Sequence, residues 1–95
     1  MEEPARVRVP RQGEIFALVE TRLGTNKLRV LCEDSTMRIA RIPGKYRKRL
    51  WIRPGDVLIV IPWEIQGDKF CNVVWRYTAA QVETLKRKKL LRMDL

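Results

Sequence analysis

From Glu14 onward, apolar and polar positions alternate in short runs separated by turn residues, a period-two pattern that predicts strands. Residues 14–20 set Ile15, Ala17 and Val19 on one face and Phe16 and Leu18 on the other, so both faces of this strand are expected to be covered. Leu23-Gly24-Thr25-Asn26 supplies a reversal, since Gly and Asn accept positive φ at low cost. Residues 27–33 place Leu28, Val30 and Cys32 one way and Lys27, Arg29 and Leu31 the other, before Glu33-Asp34-Ser35 turns the chain again. In residues 36–42, Met37 and Ile39 oppose Arg38 and Ala40. Residues 56–62 are apolar on both faces, as in a central strand, with Val57, Ile59 and Ile61 against Leu58 and Val60. After Gln66-Gly67-Asp68, residues 69–76 set Cys71, Val73 and Trp75 opposite Phe70, Asn72 and Val74, which assigns Trp75 to the core.

A helix is predicted after Thr78, because Thr78 with Gln81 three residues later forms a capping box. Val82 and Leu85 share the face that would dock on the strands, and the basic residues 86–89 complement the helix dipole. Residues 90–95 are expected to fray. The segment 43–55 is too short for a full helix with its connections, so a loop with at most a turn or two of helix around 46–50 is expected. This divides the chain into a flexible N-terminal tail (1–13), an all-β five-stranded barrel (14–77) and a short C-terminal helix packed on it (78–95).

The length of 95 residues allows one small domain, and 45% hydrophobic with 33% charged residues is a globular composition. With no histidine, the usual neutral-pH proton shuttle and the commonest metal ligand are both missing. Cys32 and Cys71 lie in apolar strand runs without companion ligands, so they read as small buried hydrophobes, a disulfide being the alternative. Neither a metal nor another cofactor is expected. The N-terminus has no signal-peptide stretch and no window spans a membrane, so a cytoplasmic, monomeric protein is expected. Glu33 with Asp34 and Glu64 with Asp68 are the only candidate acid/base pairs; both lie at turns, and the five glycines form no phosphate loop. Catalysis is therefore not expected.

The net charge of +9 changes the picture. Most of it comes from one block without a single acid, residues 35–55, whose seven cations are Arg38, Arg41, Lys45, Arg47, Lys48, Arg49 and Arg53. Tyr46 and Trp51 interleave with them. Cations among aromatic rings suit unpaired nucleic acid, where phosphates are neutralised and bases stack. Five strands with a loop after the third fit an OB-fold barrel, which binds nucleic acid on the face of its second and third strands. Arg29 and Arg38 are assigned to the outer faces of those strands, with Asn26 and Lys27 at the first hairpin.

The stretch RIPGKYRKRLWIRPGD (residues 41–56), together with the flanking strands and the WRYT before the helix, resembles the archaeal translation initiation factor 1A family across nearly the whole chain. The resemblance implies an OB barrel related to bacterial initiation factor one. It further implies binding to small-subunit ribosomal RNA at the decoding (aminoacyl) site, with initiator tRNA and other initiation factors as partners. By similarity the contacts fall on Asn26, Lys27, Arg38, Arg41 and the basic loop through Trp51. The long acidic C-terminal tail of the eukaryotic relatives has no counterpart after Leu95, so tail-dependent interactions are not expected. The alternative to a translation factor is a non-specific architectural or chaperone-like nucleic-acid-binding barrel.

Replacing Lys45, Arg47, Lys48 and Arg49 together with alanine is expected to weaken binding to small ribosomal subunits with little change in melting temperature, because solvated side chains add little to a core. Thermal unfolding beside a sedimentation assay checks this; an unfolded variant would give the run a structural role instead.

Overall fold

The computed structural model describes residues 8–44 and 52–93. Its elements are β1 (Ile15–Arg22), β2 (Lys27–Cys32), β3 (Met37–Arg41), β4 (Val57–Pro62), β5 (Phe70–Arg76) and α1 (Ala79–Arg87). Each strand lies within two residues of the run expected for it. The strands close into a barrel in the order β1-β2-β3-β5-β4, antiparallel throughout except for the parallel pairing of β3 with β5. This is the OB-fold architecture. No helix among the described residues is long and apolar enough to cross a membrane.

Two apolar clusters hold the fold. The barrel interior takes Ala17 and Val19, Leu28 and Val30, Ala40, Leu58 and Val60, and Val73, with the free cysteines Cys32 and Cys71 buried among them. Phe16, Val57 and Ile59 point outward from β1 and β4, where Tyr77 and Leu85 cover them, and Leu18 and Val82 pack at the margin. That second cluster is why both strands read as apolar on two faces. Thr78 caps the helix as expected: its hydroxyl accepts from the Gln81 N–H (3.2 Å), and the Gln81 side chain accepts from the Thr78 N–H (2.9 Å).

Four expectations are corrected. Trp75 is not core; it is 38% exposed. Ile59 pairs with Trp75 and Val60 with Val73, so Val74 is an extra residue, a β-bulge that shifts the alternation by one. Trp75 therefore leaves the interior face, and Arg76 turns to reach Asp56 (3.1 Å). Residues 8–13 were expected in the mobile tail. Instead, the Arg8 guanidinium pairs with Glu14 (3.1 Å) and lies over the Trp75 ring, and its carbonyl accepts from the Tyr77 hydroxyl.

Residues 90–93 are outside the helix, which ends at Arg87, yet they stay against the barrel: Leu91 and Met93 pack on the Phe16 cluster, while Arg92 covers the Phe16 ring and pairs with Glu33 (3.0 Å). Finally, the turn at residues 23–26 forms without positive φ at Gly24 or Asn26. Left-handed backbone appears instead at Ser35, Gln66, Lys89, Gly13 and Gly55. The short helix expected around 46–50 lies outside the described residues.

Leu85→Ala is expected to destabilise the protein by about 2–5 kcal/mol, as a fully buried large-to-small change. Trp75→Ala should remove only about 1 kcal/mol, mostly its cation–π contact. Urea unfolding of both variants checks the ranking, and a larger loss at Trp75 would return that ring to the core.

Candidate nucleic-acid interface

Residues paired across neighbouring strands share a face, so the register builds the site row by row. Lys27 pairs with Arg41, and Arg41 with Asn72. Arg29 pairs with Ile39, and Ile39 with Phe70; Leu31 pairs with Met37. The interior positions Leu28, Val30, Ala40 and Cys71 alternate with these, so the rows form the outer wall of β2, β3 and β5. Lys27, Arg29, Met37, Arg41 and Asn72 are exposed, and Ile39 and Phe70 are half-buried.

Trp63, one residue past β4, completes the wall. Its backbone N–H donates to the Phe70 carbonyl (3.0 Å), and its ring stacks on Phe70 with centroids 4.9 Å apart and planes at 28°. The indole N–H donates to Asn72 Oδ1 (3.1 Å). Two shallow hollows open on this wall. One, of about 310 Å³, is lined by Arg29, Met37, Arg38, Ile39, Lys69 and Phe70. The other, of about 290 Å³, is lined by Asn26, Lys27, Ile39, Arg41, Trp63 and Phe70. Among the described residues no carboxylate lines either hollow. Cations around an aromatic and aliphatic floor can neutralise phosphates while a base stacks.

The sequence-derived candidates divide into three groups. Asn26, Lys27, Arg29 and Arg41 are brought together on the wall. Arg53 is exposed in the turn before β4, where its backbone N–H donates to the Asp56 carboxylate (2.9 Å), and it lines neither hollow. Lys45, Tyr46, Arg47, Lys48, Arg49 and Trp51 lie outside the described residues.

Arg38 is a correction. It pairs with Val30, an interior position, so its side chain enters the end of the barrel rather than facing outward, and only 8% of the residue is exposed. Both terminal nitrogens donate to the Asp34 carboxylate (3.0 Å each), and Nε donates to the Gly67 carbonyl (2.5 Å). The hydrogen bonds to Asp34 raise the pKa of Arg38 further, against the opposing effect of burial. The same contact holds the Asp34 carboxyl below its ordinary value of 3.8.

The sequence did not single out Lys69, Phe70 or Asn72, and it left Trp63 between a core plug and a ring near the basic block. The available signal was the outward position of Phe70 opposite Cys71 and Val73, a large ring on a barrel exterior. Among the described residues no group of three or more Cys, Asp or Glu is placed to hold a metal ion.

Residues 4–94 match the family model described as translation initiation factor 1A / IF-1. The chain belongs to this family. The translation initiation factor 1A of Archaeoglobus fulgidus is 53% identical over 89 residues, covering 92% of this chain and 91% of the relative. That of Methanopyrus kandleri is 54% identical over 83 residues (87% and 74%), and that of Methanococcus aeolicus 45% over 93 residues (96% and 89%). Among solved structures, the solution structure of the bacterial translation initiation factor one from the Wolbachia endosymbiont strain TRS of Brugia malayi superposes with a TM-score of 0.54. It is 22% identical, covering 76% of this chain and 85% of that one. At that identity the likeness speaks for the barrel alone. The factor 1A relatives carry the family assignment.

Because folding lowers the Asp34 pKa, the unfolded chain takes up that proton first on acidification. The stability contributed by Asp34 is complete above pH 3.8 and is lost as the pH falls through the lower folded value. Glu14 acts in the same sense: burial raises its pKa, but the Arg11 N–H and the Arg8 guanidinium outweigh burial and lower it. Asp34→Asn is therefore expected to flatten, without abolishing, the acid limb of a stability profile between about pH 2 and 5. Denaturant midpoints along that series check it, and an unchanged acid limb would contradict the linkage.

Proposed function

We propose that this protein is a non-catalytic, RNA-binding initiation factor that occupies the decoding (aminoacyl) site of the small ribosomal subunit and promotes placement of initiator tRNA. The observation that carries this reading is the outer wall of β2, β3 and β5, where Lys27, Arg29, Arg41 and Lys69 surround the stacked Trp63–Phe70 pair and, among the described residues, no acid lines the hollows. Family membership supports the ribosomal setting and, with it, a cytoplasmic location and other initiation factors as neighbours. The mechanism is occupancy: the barrel fills the site, keeps elongator tRNA out and stabilises a subunit conformation suited to initiation. The cations supply affinity for phosphate whatever the sequence. Recognition comes from the shape of folded ribosomal RNA rather than from a base code.

Neutralising about four to six phosphates gives a slope of log K against log salt of about −3 to −4 on unpaired RNA. Titration of purified archaeal small subunits over a potassium chloride series measures this. Retention on subunits at salt that strips bulk duplex DNA, with protection of decoding-site nucleotides in chemical footprints, is the expected result. A flat salt dependence would overturn the electrostatic account. Equal retention by duplex DNA would favour an architectural or chaperone-like barrel.

A further inference from the structure

We propose that Arg38 is a positioning residue for RNA binding: from inside the barrel it fixes the β4–β5 hairpin, so that the stacked Trp63–Phe70 pair aligns with Arg29 and Arg41 on the outer wall. The inference rests on the RNA-binding reading above and adds to it a group that does not itself touch RNA.

The geometry assigns the role. Both arms of the guanidinium fork and its Nε are engaged within the protein, so Arg38 is not a free phosphate ligand. Its partners come from two separate turns: Asp34 lies between β2 and β3, and Gly67 between β4 and β5. One planar cation therefore ties the two turns together, which a point-charge ammonium cannot do with the same fork.

The Gly67 end is tightly specified. A Cβ at Gly67 would collide with the carbonyl oxygen of Trp63, so this turn folds back on the residue carrying the indole. Gln66 is held in left-handed backbone (φ 62°), a conformation unfavourable for a side-chain-bearing residue and kept by its surroundings. From Gly67 the chain runs at once to Lys69, whose carbonyl accepts from the Ile39 N–H (2.8 Å), and to Phe70, which faces Ile39. The parallel β3–β5 pairing spans only three residue pairs, the first being Ile39 with Phe70. The bracket from Arg38 to Gly67 thus sits just before the point where the aromatic strand enters the sheet. Releasing it frees the hairpin that carries both rings while leaving every other cation of the wall in the chain.

The test compares Arg38→Met, Arg38→Lys, Phe70→Ala and the Arg38→Met/Phe70→Ala double variant, each confirmed folded by circular dichroism, for affinity to purified archaeal small subunits across a salt series. Arg38→Met is expected to lose about tenfold in affinity, the scale of one misplaced stacking contact. Its salt slope should be unchanged, because no phosphate contact has gone. Arg38→Lys should do no better, and the double variant should bind no more weakly than Phe70→Ala alone. Additive losses with a shallower salt slope would make Arg38 a direct phosphate ligand and overturn the proposal, as would full affinity in folded Arg38→Met.

If Arg38→Met does not fold, Asp34→Asn, which weakens the bracket from its exposed end, takes its place. It is expected to show a smaller loss that vanishes in the Phe70→Ala background, and unchanged affinity overturns the proposal. The indole N–H resonance of Trp63 separates this failure from failure of the RNA reading. Arg38→Met (or Asp34→Asn) should shift it and speed its exchange with solvent in the free protein, whether or not subunits bind. An unmoved indole resonance overturns the positioning role, whereas wild-type protein that ignores subunits overturns the RNA reading alone.

Discussion

The three residue pairs that join β3 to β5 are the constraint on which the rest of this structure depends. The other strand pairings are antiparallel and span four or five residue pairs, whereas this parallel seam closes the barrel across strands distant in sequence. Closure leaves no unpaired strand edge between β3 and β5. It also decides which residues become neighbours. Arg41 meets Asn72 and Ile39 meets Phe70 only because the seam has this register. A slip of one residue would turn Phe70 inward and expose Cys71, so the apolar filling of the interior and the chemistry of the outer wall are set by the same hydrogen bonds.

The two broad outer walls of the barrel have opposite fates for a reason visible in the residues. On β1 and β4 the outward positions are Phe16, Leu18, Val57 and Ile59, which must be covered, and the capped helix with Tyr77 and the segment around Leu91 and Met93 covers them. On β2, β3 and β5 the outward positions mix Lys27, Arg29, Arg41 and Asn72 with a few apolar groups. Such a surface tolerates water, and it stays open. The closed wall supplies stability and the open one supplies chemistry.

Much of this was legible in the chain. Alternation located all five strands, and Thr78 with Gln81 located the start of the helix. Arg29 lies on the outer face to which alternation assigned it. What escaped had physical causes. An alternation rule carries no information about an inserted residue, so the bulge at Val74 reversed the assignment of Trp75. A charged residue is assigned outward by default, yet Arg38 lies at a barrel end where Asp34 and a peptide carbonyl replace water, and its strand phase already matched Ala40. Trp63 reaches the wall through the fold-back of the turn at Gly67, a proximity that no local pattern encodes. Charge counting, for its part, weighted the block 35–55 and passed over Phe70, the ring on which Trp63 stacks.

Arg8 and Met93 lead into the outermost described segments, and both rest near the aromatic pair Phe16 and Tyr77. Arg8 is seated on Trp75, and the residue before Met93 is seated on Phe16. Both ends of the described chain therefore lie on the helix-covered flank. A dye, an affinity handle or a tether to a solid support carried on the exposed Glu83 of α1 sits on that flank and not on the β2–β3–β5 surface, which makes the helix the natural place to hold this molecule while its other side is at work.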